Sequence, residues 1–379
     1  MAKRRRDHRP SDLSDSSSTS KRAFSGRCSA CTAPLPAKRP AAQPRKKYLH
    51  LVVNDWDRGY SIYRADEDCF SSDADVDAYP DAPRPAAASQ RLLVRMVAQH
   101  AYSQCFAAHG SKILAMYPAQ SSPGIPAFDT EALAMTVCPS PMSRGECGTN
   151  KYLYASAGGR LWAFVYPFVE VLEPEPPATK ESWSWASVES MPPFHSLCVT
   201  SYAVHPDGRT IFVSVGRRMI NPGTFTFDVE SLEWTYVGDW TLPFKGQAYY
   251  DHELDAWVGL CNRKEGIGHV CSSDVPPATG CATMPVWKLG VEVFFDTSSE
   301  RHLGATLVYM DNSRFCLVES RMAKDGDFYP RLVKMTSFML KYGKEGELRV
   351  AGRRTYASMD YQLPHKHIDR CLDPIAFWV

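Results

Sequence analysis

Short runs of alternating apolar and polar residues, separated by Gly, Pro, Asp and Asn, fill the chain from Lys47 onward. Examples are "GYSIYRA", "KYLYASA", "RTIFVSVG" and "ATLVYM". Runs of this kind, enriched in β-branched and aromatic residues, are typical of half-buried β-strands. Sustained helical periodicity is nearly absent. The pattern therefore predicts an all-β domain over residues 47–361, followed by a C-terminal extension over residues 362–379.

The strand-like runs recur with a period close to 50 residues. Their groups begin at Tyr48, Ala101, Lys151, Cys198, Gly246 and His302, with separations of 53, 50, 47, 48 and 56 residues. Units of about four short strands at this spacing are typical of kelch-type propeller blades. We therefore predict a single kelch-like β-propeller of six blades, with seven blades as the alternative. We expect Lys47–Ala65 to pair with "ELRVAGRRTYAS" and close the ring, which would remove exposed sheet edges.

The stretch "FTFDVESLEWTYVGDW", which starts at Phe225, shows how the outer part of one unit is built. Asp228 precedes Trp234 by six residues, and Asp251 precedes Trp257 by the same number. We interpret this step as a hairpin signature, since Asp favours turns. We expect the Trp to pack against the neighbouring blade.

Four phrases in order carry a resemblance to a known family: "KYLHLVVNDWDRGYSIY", "TSYAVHPDGRTIFVSV", "PFKGQAYYDHELDAWVGLC" and "HLGATLVYM". Over roughly Lys47 to Tyr356 the chain resembles the plant family, expanded in grasses, known as domain of unknown function 1668. The resemblance implies a kelch-like or galactose-oxidase-like propeller. It implies no established activity and supplies no catalytic residues.

Charge is distributed unevenly along the chain. Residues 1–47 contain 13 Lys and Arg against 3 Asp and Glu, a net charge of +10, which leaves 30 basic and 39 acidic residues and a net of −9 elsewhere. An acidic body repels a phosphate backbone, so we do not expect the propeller to bind nucleic acid.

The first 46 residues are rich in Ser, Pro, Arg and Lys, a composition that predicts disorder. Exposed basic clusters of this kind are typical of nuclear import signals, and a solubilising tail is the alternative. We expect residence in the nucleus, the cytoplasm or both. The import-like residues are Lys3, Arg4, Arg5, Arg6, Lys38, Arg39, Arg45, Lys46 and Lys47.

No run reaches the roughly 18 apolar residues of a membrane-spanning helix, and no apolar segment follows the basic start as in a secretory signal. These patterns predict a soluble intracellular monomer that does not contact membranes. In that compartment the 12 cysteines should be reduced, with Cys105, Cys261 and Cys316 acting as small core residues.

No familiar catalytic or phosphate-binding motif occurs in the sequence, and we predict no cofactor and no metal. Cys28 and Cys31 form a lone C-x-x-C, whereas a structural zinc site needs four ligands. The "HKHID" segment, His365–Asp369, lacks a surrounding strand pattern and is interpreted as a solvated tail.

Polar residues stand where the chain enters each predicted inner strand, and loops that converge on a propeller axis commonly form ligand sites. This ring is our predicted binding site. We predict a non-enzymatic protein-interaction propeller, an adaptor or substrate-recognition module with an unknown protein partner. The alternative is an enzyme or carbohydrate-binding protein that uses the axial funnel. The ring residues are His100, Asn150, His195, Lys245 and His302.

Overall fold

A computed structural model shows the chain as two units, Met1–Arg45 and Lys46–Val379. The structure describes residues 46–65, 70–72, 90–97, 106–116, 124–141, 153–175, 183–216, 222–279, 283–324, 327–363 and 373–379. Within those ranges there are 25 β-strands and no α-helix. The prediction of an all-β domain is confirmed. No helix in the described residues has the length and apolar character needed to cross a membrane.

The first sheet joins the two ends of the described chain. It has the order β25-β1-β2-β4, so the last strand occupies one edge and pairs antiparallel with β1. The short strand β3 instead pairs with β24 of the sixth sheet. The strands are β1 (Leu49–Trp56), β2 (Gly59–Ala65), β3 (Phe70–Ser72), β4 (Gln90–Val97), β24 (Leu348–Gln362) and β25 (Ile375–Trp378).

The next three sheets each contain four consecutive antiparallel strands. The second sheet is β5 (Phe106–His109), β6 (Lys112–Ala115), β7 (Gly124–Asp129) and β8 (Ala134–Pro139). The third is β9 (Leu153–Ala157), β10 (Arg160–Val165), β11 (Phe168–Leu172) and β12 (Trp185–Val188). The fourth is β13 (Val199–Val204), β14 (Thr210–Val215), β15 (Gly223–Asp228) and β16 (Glu233–Gly238).

The last two sheets are also built from four consecutive antiparallel strands each. The fifth is β17 (Phe244–Asp251), β18 (Ala256–Cys261), β19 (His269–Asp274) and β20 (Trp287–Val293). The sixth is β21 (His302–Tyr309), β22 (Arg314–Lys324), β23 (Asp327–Tyr342) and β24. The fourth and fifth sheets are also joined by parallel pairing of β13 with β17. Two short 3-10 helices, Ser196–Cys198 and Lys264–Gly266, lie in the connections.

The apolar core consists of clusters between neighbouring sheets, and these clusters lead around a ring. One cluster joins the third and fourth sheets through Phe164 and Phe227, and another joins the fourth and fifth through Phe212 and Trp257. The last joins the sixth sheet back to Leu49 of the first. This arrangement confirms the β-propeller. The blade count stays a prediction of six. The described strands form six groups of four plus β3, and the last three groups are joined by the parallel pairings of β13 with β17 and of β20 with β24.

The closing strand differs from the one expected from the sequence. The predicted pairing of "ELRVAGRRTYAS" with Lys47–Ala65 is wrong, because this segment lies in β24, which pairs with β23 in the sixth sheet. The residues that close the first sheet are Ile375–Trp378 instead. These four residues are too short to give a strong strand signal, and they lie in the segment predicted as an extension.

The repeated Asp begins the same turn in three sheets. Oδ1 of Asp228 accepts hydrogen bonds from the backbone N–H groups of Glu230 and Ser231, and Asp129 makes the equivalent pair. Asp251 does the same between β17 and β18. An Asp side chain that bonds the backbone two residues on favours such turns. The hairpin interpretation is therefore confirmed.

Trp234, at the end of that step in the fourth sheet, packs across to the third sheet. Its ring lies 5.4 Å from Phe164 and 5.1 Å from Phe194, measured between centroids. Trp257 is fully buried, and its indole N–H donates to the carbonyl of Val204 at 3.1 Å. Both side chains therefore connect neighbouring sheets, as the sequence predicted.

Candidate functional site

A cavity runs along the axis between the innermost strands. It contains two adjacent chambers of about 260 and 310 Å³, which share lining residues. The second volume lies at the lower end of the range for small-molecule sites, and the first lies just below it. The first chamber is lined from every sheet, by Ala107 of β5, Ala155 of β9, Tyr202 of β13, Tyr249 of β17, Tyr309 of β21 and Ala376 of β25.

An ion pair stands at the mouth of the second chamber. Lys245 Nζ donates to Asp373 Oδ1 at 2.7 Å, and the backbone N–H of Ala305 donates to the same oxygen at 3.1 Å. Next to it, Thr306 Oγ1 donates to the carbonyl of Pro374 at 2.6 Å. These bonds tie the segment before β25 to the start of β17 and the middle of β21. The mouth is therefore a fixed polar rim with balanced charge.

A β-bulge places Gln247 in the cavity wall. The register of β17 against β18 shifts between Lys245 and Tyr249, and Gly246 within the bulge has φ +70°. That left-handed conformation favours glycine, and a bulge changes the direction of the side chain beside it. On the other side, Gln247 lies opposite Tyr202 in the parallel pairing with β13. Tyr202 Oη accordingly donates to Gln247 Oε1 at 3.0 Å.

Three tyrosine hydroxyls in the wall stay protonated. Burial raises the pKa of Tyr202, with a further contribution from neighbouring Tyr249, and burial also raises the pKa of Tyr249. Burial is the main cause that raises the pKa of Tyr309 to about 12. The rings of Tyr249 and Tyr309 stack at 6.2 Å between centroids. The wall therefore presents neutral phenols, which both donate and accept hydrogen bonds.

A separate apolar surface lies at one end of the third sheet. We call it the apolar patch and define it as Tyr166, Phe168, Met191 and Leu197, whose exposed fractions are 42%, 46%, 60% and 42%. Val169 pairs with Val188 in the sheet. Phe168, which precedes Val169, therefore lies near the segment that runs from Val188 to Met191. The ring of Tyr166 contacts His195 at 5.6 Å, and His195 Nδ1 accepts from the N–H of Leu197.

The apolar patch and the cavity mouth face the same way. Leu197 lies in the 3-10 helix that directly precedes β13, and Lys245 lies at the start of β17. These two strands are parallel, with Ser201 opposite Gly246, so their starts lie at one end of the propeller. A partner on the patch would therefore approach the face on which the mouth opens.

The structure describes three of the five residues of the predicted binding ring. Lys245 lines the cavity mouth. His195 instead supports the turn under the apolar patch. His302 stacks on Phe295 at 4.4 Å, and its Nδ1 donates to Glu319 Oε1 at 3.0 Å, which holds it within the sixth sheet. His100 and Asn150 lie outside the described residues. The ring as a binding site stays a prediction.

Two buried thiols lie on neighbouring strands of the fifth sheet. Cys261 and Cys271 are free, and the Cys271 thiol donates to Cys261, which is the main cause that lowers the pKa of Cys261 to about 7. Burial raises the pKa of Cys271 well above its usual value. Cys316 is also free and buried, so the prediction of core thiols is confirmed for Cys261 and Cys316. Cys105 lies outside the described residues.

Within the described ranges, no group of three or more His, Cys, Asp or Glu side chains is arranged to hold a metal ion. Cys28, Cys31 and the segment His365–Asp369 lie outside those ranges.

Of the import-like basic residues, the structure describes only Lys46 and Lys47. Lys46 Nζ lies 5.3 Å from the centroid of the Tyr48 ring, and Lys47 Nζ donates to Asp311 Oδ2 at 2.9 Å. The remaining basic cluster residues all precede the described chain.

Comparison with known proteins identifies the family. A family model matches residues 46–357, most of the chain. The chain belongs to the family described as protein of unknown function, DUF1668. The resemblance read from the four sequence phrases is thereby confirmed at the level of the family. Its plant origin and kelch-like repeat type stay predictions. No curated protein matches this DUF1668 chain.

Solved structures similar to the DUF1668 chain share little sequence with it. A candidate 6-phosphogluconolactonase from Bacteroides fragilis has 12% identity and a TM-score of 0.42, with 83% of each chain covered. A chain of a nidogen/laminin complex has 9% identity and a TM-score of 0.40, with 83% of this chain and 98% of that chain covered. TolB from Acinetobacter baumannii has 10% identity and a TM-score of 0.33, with 87% and 82% covered. These values carry no functional argument.

Proposed function

We propose that this DUF1668 protein is a non-enzymatic interaction propeller, an adaptor or substrate-recognition module that docks a protein partner on the apolar patch. The observation that carries the proposal is the grouping of four large apolar side chains, each more than two-fifths exposed, at one end of one sheet. Exposed apolar groups of this kind mark interaction sites on soluble proteins.

The chemistry of the patch favours a protein over a small molecule. Aromatic residues and Met are enriched in the centres of protein interfaces, and the patch contains Tyr166, Phe168 and Met191. The patch is a surface feature, whereas the axial chambers are concave. Residues beyond 47 carry a net charge of −9. The partner should therefore present apolar anchor side chains with a neutral or basic rim.

Two finer points belong to this proposal. The recurrence near 50 residues supports the kelch-like repeat type. The +10 charge of residues 1–47 supports delivery of the propeller to the nucleus.

The test is comparative affinity capture with a matched control. The double variant Met191→Ser/Leu197→Ser removes apolar surface from the patch. The control variant Val286→Ser/Val291→Ser removes it from the fifth sheet, where these valines are 64% and 52% exposed. The proposal predicts a protein that is retained by the wild type and the control but lost from the patch variant. Equal capture by all three proteins contradicts it.

A further inference from the structure

The described side chains that line the two axial chambers carry balanced charge. Among the described side chains that line them, only Lys245 and Asp373 are charged, and these two form the 2.7 Å ion pair at the mouth. An anionic or cationic ligand would have to compete with that half-exposed pair, because the described lining offers no other side chain of opposite charge. The chambers therefore favour a neutral ligand.

The wall nevertheless offers many hydrogen-bonding groups. Gln247 accepts from Tyr202 with its Oε1, which orients its two amide N–H donors as a fixed pair. Tyr202 and Tyr249 line both chambers, and hydroxyl groups are added by Ser156 in the first chamber and Thr200 in the second. A ligand that complements them needs several hydroxyl groups arranged around a compact body.

Aromatic rings supply the other half of the wall. Phe106 and Phe377 line both chambers, and Trp378 lines the first. The stacked pair of Tyr249 and Tyr309 lies in the same wall. Aromatic faces carry partial negative charge and attract weakly positive C–H groups. A saturated ring can match both parts of the wall. Its hydroxyl groups would bond to the polar side chains, and its C–H faces would pack on the aromatic rings.

We infer that the axial chambers form a binding site for a neutral sugar, a monosaccharide or a disaccharide, held by Tyr202, Gln247 and Tyr249. The combined size of the chambers suits one or two sugar rings. This site is independent of the apolar patch and goes beyond the proposed interaction function.

Calorimetric titration of the purified full-length chain with D-glucose, D-galactose and lactose tests the inference. At least one should bind saturably. Gln247→Ala and Tyr202→Phe should each weaken that binding about tenfold, the effect of losing about one hydrogen bond to the ligand. The matched control is Tyr236→Phe, which removes an exposed phenol on β16 and should bind like the wild type. Unchanged melting temperatures would show that the variants are folded.

Several results would overturn the inference. These are no saturable binding of any of the three sugars up to about 20 mM, equal binding by the wild type and both cavity variants, or tighter binding of D-glucuronate than of the neutral sugars. Binding of adenosine, with no binding of any of the three sugars, would indicate a site for planar aromatic ligands and would also overturn the inference. The patch variant Met191→Ser/Leu197→Ser should keep sugar binding, so failure of this inference is distinguishable from failure of the proposed function.

Discussion

Leu49 lies opposite Trp378 in antiparallel register, so residues near the two ends of the described chain share one sheet. Trp378 is also tied to the sixth sheet, because its indole N–H donates to Asp311 Oδ2 at 3.2 Å. The same oxygen accepts from Lys47. The last strand therefore connects the first and sixth sheets, and the core cluster around Ala376 lies between them.

Deletion of residues 375–379 should open this closure. It removes the inner strand of the first sheet and exposes both the edge of β1 and the apolar cluster behind it. We expect the free energy of unfolding to fall by about 3–5 kcal/mol, as for loss of a large core side chain. Thermal unfolding followed by circular dichroism measures the change. Deletion of residues 1–45 is the control, and an equal melting temperature for both deletions would contradict the closure.

The buried His50 should make the fold sensitive to acid. Burial is the main cause that lowers its pKa to about 4, the charge of Arg64 opposite it also lowers it, and a hydrogen bond to the Tyr48 carbonyl opposes both. The folded state favours neutral His50, so its contribution is fully present above the unfolded pKa of 6.5. It is lost as the pH falls from 6.5 toward 4, by about 3 kcal/mol in total.

Urea unfolding at a series of pH values tests this. His50→Gln should flatten the decline between pH 6.5 and 4, whereas the exposed His252→Gln should leave it as in the wild type. A decline of the same steepness in His50→Gln would assign the acid sensitivity to other groups.

Introducing glycine into one turn of the fourth sheet should stabilise the fold, and removing glycine from another turn of that sheet should destabilise it. Leu232 has φ +61° and lies in the β15–β16 turn, whereas Gly208 has φ +73° in the β13–β14 turn. A left-handed conformation costs a side-chain-bearing residue about 1–2 kcal/mol. Leu232→Gly should therefore raise the free energy of unfolding by up to about 1 kcal/mol, and Gly208→Ala should lower it by about 1 kcal/mol. Chemical denaturation measures both, and changes of the same sign would refute the strain argument.

The basic tail should be sufficient for nuclear import. An import receptor recognises basic clusters mainly by charge, so residues 1–47 fused to a fluorescent reporter too large to diffuse through the nuclear pore should accumulate in the nucleus. Replacing Lys38, Arg39, Arg45, Lys46 and Lys47 with Ala shows whether the second cluster is needed beside Lys3–Arg6. A cytosolic fusion would instead identify the tail as a solubilising arm.

Much of the fold followed from local signals. The four strands around Phe225 and the Asp228 turn were predictable because their alternation and turn chemistry are local. The predicted start of the first unit is shifted by one strand. Tyr48 precedes β1, which is the second strand of the first sheet and not its innermost strand. Its inner strand is supplied by Ile375–Trp378, a long-range pairing that no local pattern encodes.

The site was less predictable than the fold. Lys245 is predictable because it stands at a strand entry, whereas its partner Asp373 lies in the segment predicted as an extension. Tyr202 and Gln247 lie on inner strands, where an aromatic or polar residue in an apolar run signals an exposed axial face. That signal becomes usable only once the strand is known to be innermost. The apolar patch combines residues from the β10–β11 turn region and the β12–β13 connection, so its grouping depends on the tertiary structure.

Site-specific photo-crosslinking in cells tests the central claim of patch-mediated protein docking most directly. A photo-reactive amino acid is placed in turn at positions 191 and 197 of the patch and at control positions 286 and 291, all of which carry exposed apolar side chains. The interaction proposal predicts a discrete covalent adduct with a protein partner from positions 191 and 197 and none from 286 or 291. Adducts from the control positions alone, or equal adducts from all four, would contradict it.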